Sequence, residues 1–211
     1  MDAVTPSHRS GAQSKRPKVI GVLGGSFNPA HSGHLEISIA ALEALPLNEV
    51  WWLISPANPL KDAANYAAYD VRVARARTVA NDPRIVVSDF ENTHCLQYTV
   101  DTLEALKQHN PDKRFVWLMG ADSLASFHLW KDWESITERV PIAVFSRPGD
   151  ETAGETSIAA QKLSSFEVEF ENAAAIVDKD PPAWVFVPTT NNSMSSTALR
   201  SAASKASRKT R

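Results

Sequence analysis

Short, almost unbroken apolar runs recur along the chain, separated by longer stretches in which apolar residues return every three or four positions. The runs predict strands at 18–23, 49–54, 84–88, 114–119, 141–146 and 184–187, each apolar on both sides as a strand buried on two faces requires. The stretches between them predict helices. One covers 33–45, with Leu35, Ile39 and Leu42 on one face, and stops at Pro46. Others cover 69–80 and 98–108, the latter with Val100, Leu103 and Leu106 at helical spacing. Ala121 to Trp133 opens as a helix, and a last one begins at about 193. Strands alternating with helices predict an α/β fold, a doubly wound parallel sheet in a single domain over 18–200.

The loops between these elements are uneven. Those at 24–33, 55–68 and 89–97 carry glycines, prolines and polar groups. In a parallel sheet all of them fall at the carboxyl ends of strands, where ligands bind. The stretch 147–182 gives only a turn at Arg147-Pro148-Gly149 followed by a mixed pattern. Arg72, Arg75 and Arg77 read as a charged helix face. Trp51, Trp52, Trp117 and Trp184 read as packing residues because they fall in strands, while His94, His109 and His128 take no role.

Composition narrows the picture without deciding it. A net charge of −2 supplies no field that draws nucleic acid or an anionic membrane. The single Cys95 excludes an internal disulfide and a multi-cysteine metal site. No apolar run reaches the roughly 20 residues that span a bilayer, and the first residues lack the apolar segment of a secretory signal. A cytoplasmic protein with no nucleic-acid or membrane partner is expected, its oligomeric state open. Residues 1–17 and 201–211, both basic, are expected to be disordered tails.

The densest chemistry is GGSFNPAHSGHL, residues 24–35, which leaves the first strand and opens the first helix. Gly24 and Gly25 suit a backbone that turns sharply and approaches a ligand. The helix start favours anions. Neither Gly-x-Gly-x-x-Gly nor a Gly-Lys-Ser/Thr phosphate loop is present. In their place stands His31-x-Gly33-His34. A turn or a helix cap accounts for either histidine alone; the pair beside two glycines and a strand end points to phosphoryl oxygens. Zinc is not indicated, because a third ligand is missing nearby. Far along the chain, Ser195, Ser196 and Thr197 open another helix and Arg200 follows, which alone reads as a simple N-cap.

Taken together, GGSFNPAHSGHL and Met194-Ser195-Ser196-Thr197-Ala198-Leu199-Arg200 resemble the two motifs of the HxGH nucleotidyltransferase superfamily. The stretches Pro56-Ala57-Asn58-Pro59-Leu60-Lys61, Tyr98 to Leu103, and Met119 to Leu124 with Trp130 following narrow the resemblance to the bacterial nicotinate-nucleotide adenylyltransferases. The likeness spans about 18–200 and implies a Rossmann-like nucleotidyltransferase fold. It also implies adenylyl transfer from ATP to nicotinate mononucleotide, with Mg²⁺ carried in on ATP and no protein-held metal. His31, His34 and Arg200 are then the catalytic residues. ATP is met by Gly24, Gly25, Ser26, His31, His34, Gly120, Asp122, Ser195, Ser196, Thr197 and Arg200. The mononucleotide is met by Ser26, Phe27, Lys61, Thr99, Val100, Trp130 and Lys131.

Three features depart from the family pattern. Asn28 stands where many members have Asp, Leu60-Lys61 replaces a usual Pro-His, and residues 201–211 lack large apolar side chains. The alternatives are the same reaction on nicotinamide mononucleotide or another phosphate acceptor, and a nucleotide-binding module without catalysis.

Overall fold

The computed structural model describes residues 16–56, 67–146 and 156–188. Lys61, Ser195, Ser196, Thr197 and Arg200 lie outside the described residues, as do nearly all of the N-terminal tail and the whole of 201–211. All six expected strands form: β1 (Lys18–Gly25), β2 (Glu49–Ile54), β3 (Ile85–Ser88), β4 (Lys113–Gly120), β5 (Ile142–Phe145) and β7 (Trp184–Val187). A seventh, β6 (Glu167–Val168), comes from the stretch without a clear pattern and pairs with β7 at the sheet edge. Two residues are too few to show a period, so only the pairing identifies it. Every pairing is parallel, in the order β3-β2-β1-β4-β5-β7-β6.

The helices are α1 (Ser32–Ala44), α2 (Tyr69–Val79), the single turn α3 (Phe90–Thr93), α4 (Thr99–His109), α5 (Ala121–Phe127), α6 (Trp133–Arg139) and α7 (Ile158–Leu163). Residues Phe170–Asp178 form a 3₁₀ run. Side chains alternate across the sheet, as strand geometry dictates. Leu23, Trp52, Ile54, Val116 and Leu118 lie on one face with α1, α2 and the 3₁₀ run. Val22, Leu53, Phe115, Trp117 and Met119 lie on the other with α4, α5, α6 and α7.

Two helix expectations change. The buried stripe of α1 is Ile37, Ser38, Ala41 and Leu42, with Leu35 and Ile39 only partly buried at its margins. The helix is apolar nearly all round, so its period does not single out the inward side. The buried hydroxyl of Ser38 accepts from Trp52 Nε1 at 2.7 Å and donates to the His34 carbonyl at 2.8 Å, which satisfies it. The segment 121–133 is not one helix. Turn bonds from Leu129 N–H to Ser126 O and from Trp130 N–H to Phe127 O close α5. Asp132 then takes a left-handed φ of 48° and restarts the chain as the N-cap of α6.

The chain runs outward from β1 through β2 to β3, then returns to lay β4 on the other side of β1. Leu23 stands beside Leu118. The loops leaving β1 and β4 therefore flank the crevice where the strand order reverses, the preferred ligand position in such sheets.

Candidate active site

The loop from β1 to α1 is built from its own side chains. His31 is the N-cap of α1, and its Nδ1 accepts from the Gly33 N–H at 3.1 Å. His34, at the third helical position, returns the bond: its Nδ1 accepts from the His31 N–H at 3.2 Å. This is a capping box with histidines in the places usually taken by a hydroxyl and a carboxamide or carboxylate. The cap reading and the phosphate reading thus describe one arrangement. A ring whose Nδ1 accepts carries its proton on Nε2. Both imidazoles are therefore set as Nε2–H donors by the backbone that they cap. Their ring centroids are 3.9 Å apart.

Phe27 locks the loop from beneath. Its ring lies 4.5 Å from that of His34 and stacks at 5.0 Å on Trp52. Its φ is 44°, a left-handed conformation that costs a bulky residue roughly 1–3 kcal/mol and persists where packing over-determines it. Here the buried stack supplies that packing, and the strain sits between Ser26 and Asn28, inside the motif.

Arg72 overturns its expected place on a charged helix face. It is 2% exposed, whereas Arg75 and Arg77 are exposed as expected. Its Nη1 donates to Ser26 O at 2.7 Å and Ser55 O at 2.8 Å, its Nη2 to Pro56 O at 2.9 Å, and its Nε to Ala67 O at 3.2 Å. One guanidinium thus ties the motif loop to the chain leaving β2 and to the approach of α2. Asn28 adds to this tie. It is buried, and its Oδ1 accepts from the Ala67 N–H at 3.2 Å. An amide oxygen serves for that bond as a carboxylate would, so Asn28 retains a holding role without the charge. The sequence signal for Arg72 is faint: an arginine beside Val73 and Ala76, the inward residues of α2.

On the far side of the crevice, Gly120 ends β4 as the N-cap of α5, and the exposed Asp122 lies in the first turn. Asp122 Oδ1 folds back onto Gly120 so closely that a Cβ there would collide with it. Gly24 also has a packing reason. It pairs with Leu53 within β1, and a Cβ on it would strike the ring of Trp117.

Trp117 in turn leads to Trp130, edge to face at 6.3 Å. Trp130 lies in the turn between α5 and α6, also edge to face with Phe127 at 5.3 Å. Lys131 follows, its Nζ 4.4 Å from the Tyr98 ring centroid and 3.4 Å from Asp101 Oδ2. That contact brings the Trp130 turn to the start of α4, where Thr99 and Val100 open the helix and, among the described residues, no side chain caps it.

The sequence-predicted residues that the structure describes, Gly24 in β1 apart, therefore fall into two groups on one sheet edge. Gly25, Ser26, Phe27, His31 and His34 surround the first helix start, with Gly120 and Asp122 across from it. Thr99, Val100, Trp130 and Lys131 gather around the fourth. Among the described residues, no group of three or more His, Cys, Asp or Glu is placed to hold a metal ion.

The family model described as cytidylyltransferase-like matches residues 22–202. The probable nicotinate-nucleotide adenylyltransferase of Methylorubrum extorquens strain PA1 is 46% identical over 181 residues, covering 86% of this chain and 98% of that protein. The probable nicotinate-nucleotide adenylyltransferase of Agrobacterium fabrum is 43% identical over 182 residues, covering 86% and 97%. The fold resembles that of Plasmodium falciparum nicotinic acid mononucleotide adenylyltransferase complexed with NaAD, with a TM-score of 0.61 at 20% identity over 87% of this chain and 83% of that one. The motif corner, the match over most of the chain and relatives at this identity agree: the chain belongs to the cytidylyltransferase-like family, among the nicotinate-nucleotide adenylyltransferases.

Proposed function

We propose that the chain transfers the adenylyl group of ATP to nicotinate mononucleotide, giving nicotinate adenine dinucleotide and pyrophosphate in NAD biosynthesis. The observation that carries this reading is the histidine capping box at the reversal of strand order, which holds two Nε2–H donors in a fixed tautomer. A phosphate oxygen of the acceptor attacks the α-phosphorus of ATP, and the bond from that phosphorus to the bridging oxygen of the pyrophosphate breaks. The acceptor phosphate is already anionic at neutral pH, so no strong general base is required. Charge grows on the oxygens of the transferred group and on the leaving pyrophosphate. Donors fixed before the reaction stabilise that charge without reorganising.

In this reading, His31 and His34 meet the ATP phosphates. Ser26 and the backbone of Phe27 meet the acceptor phosphate, with Lys61 nearby. Gly24 and Gly25 let the end of β1 approach ATP, and Gly120 and Asp122 face its ribose. Ser195, Ser196 and Thr197 offer a second anion site, and Arg200 draws off the pyrophosphate. Trp130 stacks on the pyridine ring, whose carboxylate meets N–H groups near Thr99, Val100 and Lys131. Mg²⁺ enters as part of the ATP substrate. Among the described residues no helix is long and apolar enough to cross a membrane. The proposed setting is the cytoplasm, with no nucleic-acid or membrane partner.

The test is pyrophosphate release with ATP and each acceptor in parallel: nicotinate mononucleotide, nicotinamide mononucleotide, phosphopantetheine and FMN. The expected result is fastest release with nicotinate mononucleotide. Faster release with another acceptor would reassign the substrate, and no release with any of them would leave a binding module.

A further inference from the structure

Glu91 belongs to α3, the single turn after β3, and nothing above uses it. It is 6% exposed, and among the described residues its side chain meets one hydrogen-bond partner, the hydroxyl of Thr102. Thr102 is fully buried in α4. Its Oγ1 lies 3.0 Å from Glu91 Oε1 and 3.1 Å from the carbonyl oxygen of Tyr98. A hydroxyl has one hydrogen and cannot donate to both. If Glu91 is ionised, two acceptors compete for that hydrogen in a dry interior, and one goes without. If Glu91 is protonated, the conflict ends. Its O–H donates to Thr102 Oγ1, and the Thr102 hydrogen goes to Tyr98 O. Tyr98 is the N-cap of α4, and the same carbonyl accepts from the Thr102 N–H at 3.0 Å. The chain of bonds therefore ends in the first turn of the helix that carries Thr99 and Val100.

The surroundings favour the neutral form. Burial pushes the Glu91 carboxyl up to about 7, opposed by the Thr102 hydrogen bond. From α2, Tyr69 faces it. That phenol is pushed up, first by burial and then by the charge of Asp89, with Glu91 adding to the effect and Arg72 and Arg77 opposing it. Among the described residues, the buried Tyr69 hydroxyl has no hydrogen-bond partner. On α4, Asp101 turns to Lys131. Around α3 itself, Asp89 is its exposed N-cap, and His94 is exposed with its Nδ1 at the Phe90 carbonyl.

We propose that Glu91 is a positioning residue for the pyridine end of the acceptor, donating in its neutral form to Thr102 and thereby setting the first turn of α4 to receive an anionic ring substituent. This rests on the reading that the α4 start meets the pyridine carboxylate. Ionisation of Glu91 takes the shared hydrogen from Tyr98 and places a negative charge behind a helix start that has to hold another one.

The experiment compares binding of nicotinate mononucleotide by the wild type and by Glu91→Gln from about pH 6 to about pH 8.5. A glutamine amide donates to Thr102 at every pH. The expected result is equal affinity near pH 6 and an affinity about three- to tenfold weaker in the wild type near pH 8.5, with ATP binding the same in both. Titration of the acceptor phosphate affects both proteins alike and cancels in the ratio. A ratio that stays constant with pH overturns the proposal.

Thr102→Val keeps the side-chain shape and removes the shared hydrogen, and it serves where the glutamine variant does not fold. It is expected to bind the acceptor near pH 6 as weakly as the wild type does near pH 8.5. Binding equal to the wild type near pH 6 overturns the proposal. Intact adenylyl transfer with either negative result rejects only the role of Glu91. Absence of transfer to nicotinate mononucleotide at every pH rejects the functional reading beneath it.

Discussion

Two helices start at the same edge of the sheet, and they are finished differently. At α1 the side chains of His31 and His34 cap the backbone and are held by it. At α4 the N-cap is Tyr98, and among the described residues no side chain caps the helix. The contrast follows from what each end supplies in the proposed reaction. Phosphoryl transfer in the proposed reaction calls for fixed donors, and the backbone occupies Nδ1 of each imidazole, which leaves the proton on Nε2. Recognition of a flat ring with a carboxylate calls for the N–H groups themselves, so a side-chain cap there would compete with the ligand. A capped start is rigid and costs little to form. An uncapped one depends on support from elsewhere, here from Thr102 within it and from Lys131, which reaches Tyr98 and Asp101.

The sharpest way to break this comparison is to keep the cap at α1 and remove the imidazole. Glutamine suits the third helical position of a capping box. His34→Gln is therefore expected to keep the wild-type melting temperature while kcat falls by about 10²–10³-fold. Unchanged turnover would leave His34 as a cap and nothing more. Next in size is the support of the α1 loop. Arg72→Met strips donors from four carbonyls and is expected to lower the unfolding free energy by roughly 3 kcal/mol or more, read from urea denaturation. Arg72→Lys keeps the charge but not the planar fork. It is expected to fold and to lose about tenfold in kcat through displacement of the Ser26 carbonyl, and full turnover there would remove Arg72 from the positioning of the motif.

On the α4 side the effects are expected in binding. Trp130→Ala should raise the KM for nicotinate mononucleotide about tenfold, the loss of one aromatic stacking surface, with the KM for ATP changed less than about twofold. Equal losses for both substrates would make Trp130 a packing residue of the Phe127 and Trp117 cluster. The smallest effect belongs to the half-exposed pair of Lys131 and Asp101. Asp101→Asn should change stability by less than about 1 kcal/mol in thermal denaturation. A larger loss would mean that the ion pair, and not the aromatic contacts, holds the Trp130 turn against α4.

Much of this molecule was open to reading because its central strands are buried on both faces. Burial on two sides forces unbroken apolar runs, and six such runs alternating with helical spacing leave few folds to choose from. The motif corner was open to reading for a related reason. A strand end, two glycines, two histidines and a helix start are all local, and local geometry is written in consecutive residues. Its distant partner, Ser195 to Arg200, lies outside the described residues and stands on the sequence alone.

Six strands, the corner and the residue types of the loops are thus legible in runs of neighbouring residues. Which side chains meet across the fold came from contacts between distant segments. Arg72 reads as a surface charge until the carbonyls of Ser26, Ser55, Pro56 and Ala67 converge on it, because a guanidinium is buried only where distant chain segments bring acceptors. Gly24 carries a packing constraint that the motif alone does not show, because the ring of Trp117 stands where its Cβ would be. Glu91 carries no signal in the sequence, since its protonation depends on the depth at which α3 and α4 close over it and on a single hydrogen of Thr102 shared between two acceptors. Local pattern fixes a residue's conformation, whereas burial and partners come from segments far apart in the chain.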